Sequence, residues 1–275
     1  MSAQSWGQLL LYPLLIAVAW VQVRRSASLS LRADADRITR FNSWFIRWAF
    51  WAVLLVGLVD AAISFMRVEG LLGPFLSADT ITALGRPQFR GPNVHIPLIG
   101  VAFLLAFVSR GPSFVWLALL VVLAELGIVL SRFIFSYEQA FMGDLVRFWY
   151  AAFFLFASAY TLVEEGHVRV DVFYAGFKSK TKGFVNAVGS LLLGMAFCWV
   201  ILVVGFGTKT SIINAPILNY EVSQSGFGMY VKYIMAGFLG IFAISMLIQF
   251  VSYLLEAVAD FRDEPGKREP APLTQ

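Results

Sequence analysis

Residues 184–206 read FVNAVGSLLLGMAFCWVILVVGF, a run that contains no charged side chain. A helix rises about 1.5 Å per residue, so about 20 residues cross the roughly 30 Å hydrocarbon core of a bilayer. The backbone of such a segment must satisfy its own hydrogen bonds in lipid, which a helix does. The run therefore predicts a transmembrane helix.

Comparable apolar runs follow one another along the chain. The sequence predicts seven spans, at residues 6–23, 48–66, 94–109, 113–130, 145–163, 184–206 and 234–253. Of the 275 residues 59% are apolar and only 14% are charged, whereas soluble domains carry about 25% charged residues. A soluble enzyme is excluded, and we predict an all-α, polytopic integral membrane protein with about seven transmembrane helices.

Two of these spans need comment. Residues 94–109 are a short run that contains Pro97 and Gly100, so a re-entrant hairpin is the alternative to a full crossing. Residues 6–23 are followed by Arg24 and Arg25 rather than preceded by basic residues, which is the reverse of a secretory signal peptide. We therefore predict a retained first helix.

The basic residues indicate the orientation. With the N-terminus outside and the C-terminus inside, 14 of the 21 Lys and Arg residues fall on the cytoplasmic side and seven on the outer side. This asymmetry is what the positive-inside rule expects. Residues 34–47 also alternate polar side chains with Ile38, Phe41, Trp44 and Phe45, a spacing that predicts an amphipathic helix on the inner membrane surface.

The sequence offers no catalytic constellation. Cys198 is the only cysteine, and the two histidines, His95 and His167, lie at the edges of apolar runs. No His-Glu-x-x-His pattern and no phosphate-binding glycine loop occurs, and Lys232 lies at the edge of the last span rather than inside it. We predict no enzyme activity, cofactor or metal site, and the net charge of +4, carried by residues that flank spans, does not indicate nucleic-acid binding.

Two acids stand inside predicted spans, Asp60 and Glu125. Ionisable groups in a membrane are costly and often functional. One interpretation makes them an ion or proton relay in a self-sufficient transporter or channel. The other, which we favour, is a hydrogen-bonded contact to a neighbouring helix or partner subunit.

The stretch after the fifth predicted span combines several charges with alternating valines. It runs Glu164-Glu-Gly-His-Val-Arg-Val-Asp171 and is followed by Lys178, Lys180 and Lys182. The alternation permits a strand, whereas a helix places His167 and Asp171 at i and i+4, where they can pair. We predict a surface-lying helix between two spans, with docking of a partner protein as the functional alternative.

These residues carry a resemblance to a known family. Arg132 closes one span, Asp144 and Arg147 open the next, and Gly166-His-Val-Arg-Val-Asp171 follows the stretch at 151–160. Together they resemble the small membrane subunit (DctQ-like) of tripartite ATP-independent periplasmic (TRAP) transporters. The resemblance covers residues 113–260, the four spans that such subunits usually have, including the 226–232 lead into the last helix.

The resemblance implies a scaffold in the bacterial inner membrane. Such a subunit assembles with a large sodium-coupled elevator subunit and with a periplasmic binding protein that captures an organic anion, often a carboxylate. The motif residues Arg132, Asp144, Arg147, His167, Arg169 and Asp171 are then partner-interface or structural positions.

The chain departs from the family at its N-terminus, where about 110 residues with up to three spans are added. We expect an extension at 1–110, a four-helix domain at 111–262 and a disordered cytoplasmic tail at 263–275. A variant takes residues 48–66 as the first family span, with a hairpin inserted after it. The outer loop at 67–93 is then either an added partner contact or a plain connector.

Overall fold

The structure is a computed structural model that describes residues 13–14, 16–21, 23–25, 29–109, 114–163, 172–222 and 228–266. Its helices are α1 (Leu31–Val68), α2 (Ala78–Leu84), α3 (Pro87–Val108), α4 (Phe114–Phe135), α5 (Ala140–Val163), α6 (Val172–Ala175), α7 (Ser179–Phe206), α8 (Asn214–Leu218) and α9 (Lys232–Phe261). No strand occurs among the described residues. The predicted all-α fold is confirmed.

Among the described residues, six helices are long and apolar enough to cross a membrane, namely α1, α3, α4, α5, α7 and α9. Each covers nearly all or all of one of the predicted spans from 48–66 onward. Half of the first predicted span, 6–23, lies outside the described residues; those described between 13 and 25 are helical and exposed.

Helix α1 is longer than the sequence suggested. Ser30 starts it by accepting a hydrogen bond from the backbone N–H of Ala33 (3.2 Å), as N-cap serines do. The helix then continues for 38 residues, or about 57 Å. The amphipathic segment at 34–47 is helical as predicted, but it continues into the span instead of forming a separate surface helix, because no residue there breaks the helix.

Helices α1 and α9 form the centre of the bundle and run antiparallel. Arg32, at the start of α1, pairs with Asp260 near the end of α9 (2.7 Å), and Asp60 contacts Tyr230, just before α9 begins. Helix α5 packs across both, α3 packs on α1, α4 on α5, and α7 on α9. The N-terminal helices and the later ones therefore share one core.

That core is aromatic where α1, α5 and α9 meet. The rings of Phe148 and Phe156 on α5 lie 5.1 and 5.0 Å from the ring of Phe238 on α9. Val53 and Val56 of α1 are buried against the same cluster. Contacts of this kind between large apolar side chains hold the three helices together.

Between this aromatic core and the Arg32–Asp260 ion pair, α1 and α9 meet through a polar seam. It is formed by Thr39, Asn42, Ser245, Gln249 and Ser252. Asn42 Nδ2 donates to Ser245 O (3.0 Å) and to Gln249 Oε1 (3.2 Å), and the hydroxyls of Thr39 and Ser252 are 2.8 Å apart. The residues repeat at three- and four-residue spacing on each helix, so they lie on facing sides. Small and polar side chains commonly link helices in membranes.

Helix α3 runs back along α1 over most of its length. Its start contacts Asp60, while the carbonyl of Ser109, just after its end, accepts from Arg47 Nη1 (3.2 Å). Its 22 residues extend about 33 Å. Helix α3 is therefore long enough for a full crossing of the membrane. This favours the full crossing over the re-entrant hairpin considered for residues 94–109.

Candidate functional site

Asp60 is the centre of a fully buried polar cluster. Its Oδ1 accepts from Arg90 Nη1 (2.7 Å) and lies 2.9 Å from His95 Nε2, and its Oδ2 accepts from the backbone N–H of Tyr230 (2.9 Å). The side chains of Asp60, Arg90 and His95 are each 0% exposed. A carboxylate can only accept, so Nε2 is the donating nitrogen of His95.

A π-helical turn at Gly91–His95 explains how Arg90 and His95 reach the same oxygen. In an α-helix, residues five apart point about 140° away from each other. The π turn is wider, with the N–H of Ile96 bonded to the carbonyl of Gly91, and it brings positions five apart onto one side. The turn is therefore what assembles the cluster.

Gly91 also allows two tyrosines to close the cluster. A Cβ at this position would collide with the ring of Tyr220 and lie 3.2 Å from the hydroxyl of Tyr233. That hydroxyl is 2.7 Å from His95 Nδ1. The cluster thus links α3 to the start of α9.

Arg90 has contacts on several sides. Its Nε donates to Leu84 O (2.8 Å) and its Nη1 donates also to Ser64 Oγ (3.1 Å). Its guanidinium carbon lies 4.4 Å from the centre of the Tyr230 ring, a cation–π distance. Only Nη2 has no hydrogen-bond partner among the described residues. The charges and donors are almost fully used, which favours a structural role over a relay.

The loop before α9, which contains Tyr230, is also bound by Asp144 of α5. Asp144 Oδ2 accepts from the backbone N–H of Met229 (3.0 Å), next to Tyr230. Arg147, 76% exposed, lies 3.7 Å from the other oxygen of Asp144. The loop at 228–231 is therefore bound by carboxylates of both α1 and α5.

Arg132 lies at the corner between α4 and α5, with Asp144 and Arg147 close by. It forms an exposed ion pair with Glu138 (3.4 Å). An open cavity of about 380 Å³ lies at this corner, lined by Ile128, Glu138, Gln139, Ala140, Met142, Gly143, Asp144 and Arg147. Three of the six motif positions thus lie at one end of the bundle.

The same corner is tied to α1 by Tyr137. Its hydroxyl donates to Glu69 Oε1 (2.7 Å). Partial burial, together with this hydrogen bond and the charge of Glu69, raises the pKa of Tyr137 to about 12. The tyrosine therefore remains a donor at any physiological pH.

Glu125 lies elsewhere. It is exposed on α4, and among the described residues none forms a hydrogen bond or an ion pair with it. The structure does not bring Asp60 and Glu125 together, because Asp60 is enclosed by α1, α3 and α9.

His167, Arg169 and Asp171 lie outside the described residues. The predicted surface helix around them is described only from Val172, where α6 forms a single turn. Lys180 already belongs to α7 and pairs with Asp263 beyond the end of α9 (3.5 Å).

Sequence reasoning missed Arg90, His95, Ser64, Tyr230 and Tyr233 as members of the cluster. Ser64 is one helical turn after Asp60, so its proximity was available from spacing. Arg90 stood in a predicted outer loop, 30 residues from Asp60. The signal that could have found it is an arginine and a histidine flanking a Gly-Pro pair immediately before an apolar run.

The family model "Tripartite ATP-independent periplasmic transporters, DctQ component" matches residues 118–260, just over half the chain and four of its six membrane-length helices. No curated protein and no solved structure matches the chain. The matched region begins within α4, which leaves α1 to α3 outside it. The chain belongs to the DctQ family and is the small membrane subunit of a TRAP transporter.

Proposed function

We propose that the chain is a scaffold for the large, sodium-coupled membrane subunit and that it helps to dock the periplasmic binding protein during uptake of an organic anion such as a carboxylate. The observation that carries this proposal is the family match over α4 to α9. The contacts of Asp60 and Asp144 support it, since they fix helices to each other instead of lining a pathway.

In this proposal the chain is a multi-pass protein of the bacterial inner membrane with a periplasmic N-terminus and a cytoplasmic C-terminus. The end that holds Asp60, Arg132, Asp144 and Arg147 then faces the periplasm. The exposed arginines at this end are available to a soluble partner. Residues 1–110 are an extension of the four-helix domain at 111–262.

Co-purification tests the scaffold role. The tagged chain, expressed with the large subunit of its transporter and extracted in mild detergent, should retain that subunit at a fixed ratio. Proteoliposomes with the chain alone should show no sodium-driven uptake, whereas those with both subunits and the binding protein should show uptake.

A different result would contradict the scaffold role. A chain that purifies without the large subunit, and that moves ions by itself in liposomes, would support the self-sufficient transporter. Asp60→Asn and Glu125→Gln would then be expected to abolish that movement.

A further inference from the structure

Two flanks of the bundle are open, and they differ in chemistry. Helices α4 and α7 are the least buried of the six spans, and they pack on different neighbours, α4 mainly on α5 and α7 on α9. Helix α7 has no charged residue from 184 to 206, as suits a lipid-facing helix. Helix α4 carries Glu125.

Glu125 stands at the middle of its helix. It is the eleventh residue of the span Val115–Phe135, about 15 Å from either end. A glutamate side chain is too short to reach the headgroups from there, unlike a lysine or arginine near a helix end. Its carboxyl group is therefore in the membrane interior.

The described residues around Glu125 do not provide a hydrogen-bond partner. Its neighbours one turn away, Val122 and Val129, are apolar and 61% and 47% exposed. No described residue donates a hydrogen bond to it. Acids at this depth normally face a partner or a water-filled cavity, so this face needs a donor from outside the described part of the chain.

The same face of α4 continues towards a groove. Ile128 and Arg132 follow Glu125 at i+3 and i+7, so the three share one side of the helix, which we name the Glu125 face. Ile128 lines the cavity between α4 and α5, together with Gly143 and Arg147. A Cβ built on Gly143 would meet nothing within 4 Å, so the backbone of α5 is uncovered at this point.

We propose that the Glu125 face binds a transmembrane helix of the large TRAP subunit, and that a side chain of this helix donates a hydrogen bond to Glu125 at mid-membrane depth. This inference rests on the proposed function, which supplies the partner. A second copy of the chain fits less well, because a twofold interface pairs each surface with itself. It would bring two acids together.

The test compares how much large subunit is recovered with the tagged wild-type chain, Glu125→Gln and Glu125→Leu. Glu125→Leu should reduce recovery roughly fivefold or more, the effect of losing one interhelical hydrogen bond of the stronger kind. Glu125→Gln, which retains an accepting oxygen, should lie between the two. Each variant alone should remain monodisperse and melt no earlier than wild type, because Glu125 contacts no described donor.

A matched control moves the acid on the same helix. Leu123 is 51% exposed and points about 160° away from Glu125. The double variant Glu125→Leu/Leu123→Glu keeps the composition, and it should bind the large subunit as poorly as Glu125→Leu. If Glu125 merely faced lipid, the double variant would bind like wild type.

The outcomes separate the two proposals. If the wild-type chain recovers no large subunit, the proposed function fails. If wild type and Glu125→Leu recover it equally, only the Glu125 interface is overturned. Photo-crosslinking through a reagent attached to Val129→Cys, one turn from Glu125, in a Cys198→Ala background, should yield a product with the large subunit. A product with a second copy, or with residues 1–25 of the same chain, would overturn the inference.

Discussion

Asp60 is bonded to three groups from two separate parts of the chain, the start of α3 and the loop before α9, and all three are buried with it. In such a site the attraction between Asp60 and Arg90 mainly offsets the cost of removing both from water. The effect of the ion pair on stability is therefore largest when one member is removed, since the other is left as an unpaired buried charge.

Substitution of Arg90 tests this. Arg90→Leu should destabilise the protein by about 3–5 kcal/mol, because it leaves Asp60 without its cation. Arg132→Leu is the control, since its ion pair is more than half exposed and should be worth less than about 1 kcal/mol. Thermal unfolding in detergent, followed by the fluorescence of the eight tryptophans, provides the measurement.

A double variant makes the result specific. Asp60→Asn/Arg90→Leu should lose less stability than the sum of the two single variants, because the residues interact directly. Additive losses, or equal shifts for Arg90→Leu and Arg132→Leu, would contradict the coupling.

Helices α7 and α9 approach each other closely at Gly183. A Cβ on Gly183 would lie 2.7 Å from both the carbonyl oxygen of Ala257 and the amide nitrogen of Phe261. These are backbone atoms, which cannot turn aside as a side chain can. The glycine is thus required by the distance between the helices.

Gly183→Ala should therefore push α7 away from α9 and cost about 1–3 kcal/mol. Gly189→Ala is the matched control on the same helix, since its Cβ would meet nothing within 4 Å. It should raise stability by about 0.5–1 kcal/mol, the propensity gain of alanine over glycine. Melting temperatures of the two variants in the same detergent should shift in opposite directions, and shifts of equal sign and size would be evidence against the close contact.

The positions of the membrane-length helices were the feature that the sequence predicted best. Six apolar runs sufficed to place α1, α3, α4, α5, α7 and α9, because length and composition decide what can cross a bilayer. Their ends were less predictable. The polar residues before position 48 read as a surface helix, although Thr39 and Asn42 face α9 in the polar seam. A polar residue has the same helical spacing whether it faces water or another polar helix.

The cluster around Asp60 could not be predicted from helical spacing, for a different reason. Its donors come from positions 30, 35 and 170 residues away, and the π turn that aligns Arg90 and His95 changes the usual helical spacing. A partner for Asp60 on a neighbouring helix was expected, but no local pattern identified which residue it was. Glu125, by contrast, was found from sequence as a lone acid in an apolar run.

For the whole molecule, the extension and the family region behave as one folded unit. Helix α1 contributes Val53 and Val56 to the core that contains Phe148 and Phe238, and Asp60 binds the loop before α9. The family-matched part therefore lacks a wall of its core without residues 1–110.

Truncation tests this dependence. A chain that begins at residue 111 should aggregate or be degraded, whereas its co-expression with a separate 1–110 fragment should restore a monodisperse complex on size-exclusion chromatography. A 111–275 fragment that is monodisperse alone, with the melting temperature of the full chain, would show instead that the four-helix domain is independent.

The hydrogen bond from Tyr230 to Asp60 also has a consequence for biosynthesis. Asp60 enters the membrane early, but the donor lies 170 residues later, which a ribosome takes roughly 10 to 30 s to add. During that interval the carboxylate has only Arg90 and His95, once α3 has been inserted. A chain whose translation stops before residue 230 retains an incompletely bonded charge inside the bilayer, a defect that membrane proteases and chaperones can recognise while the finished protein escapes them.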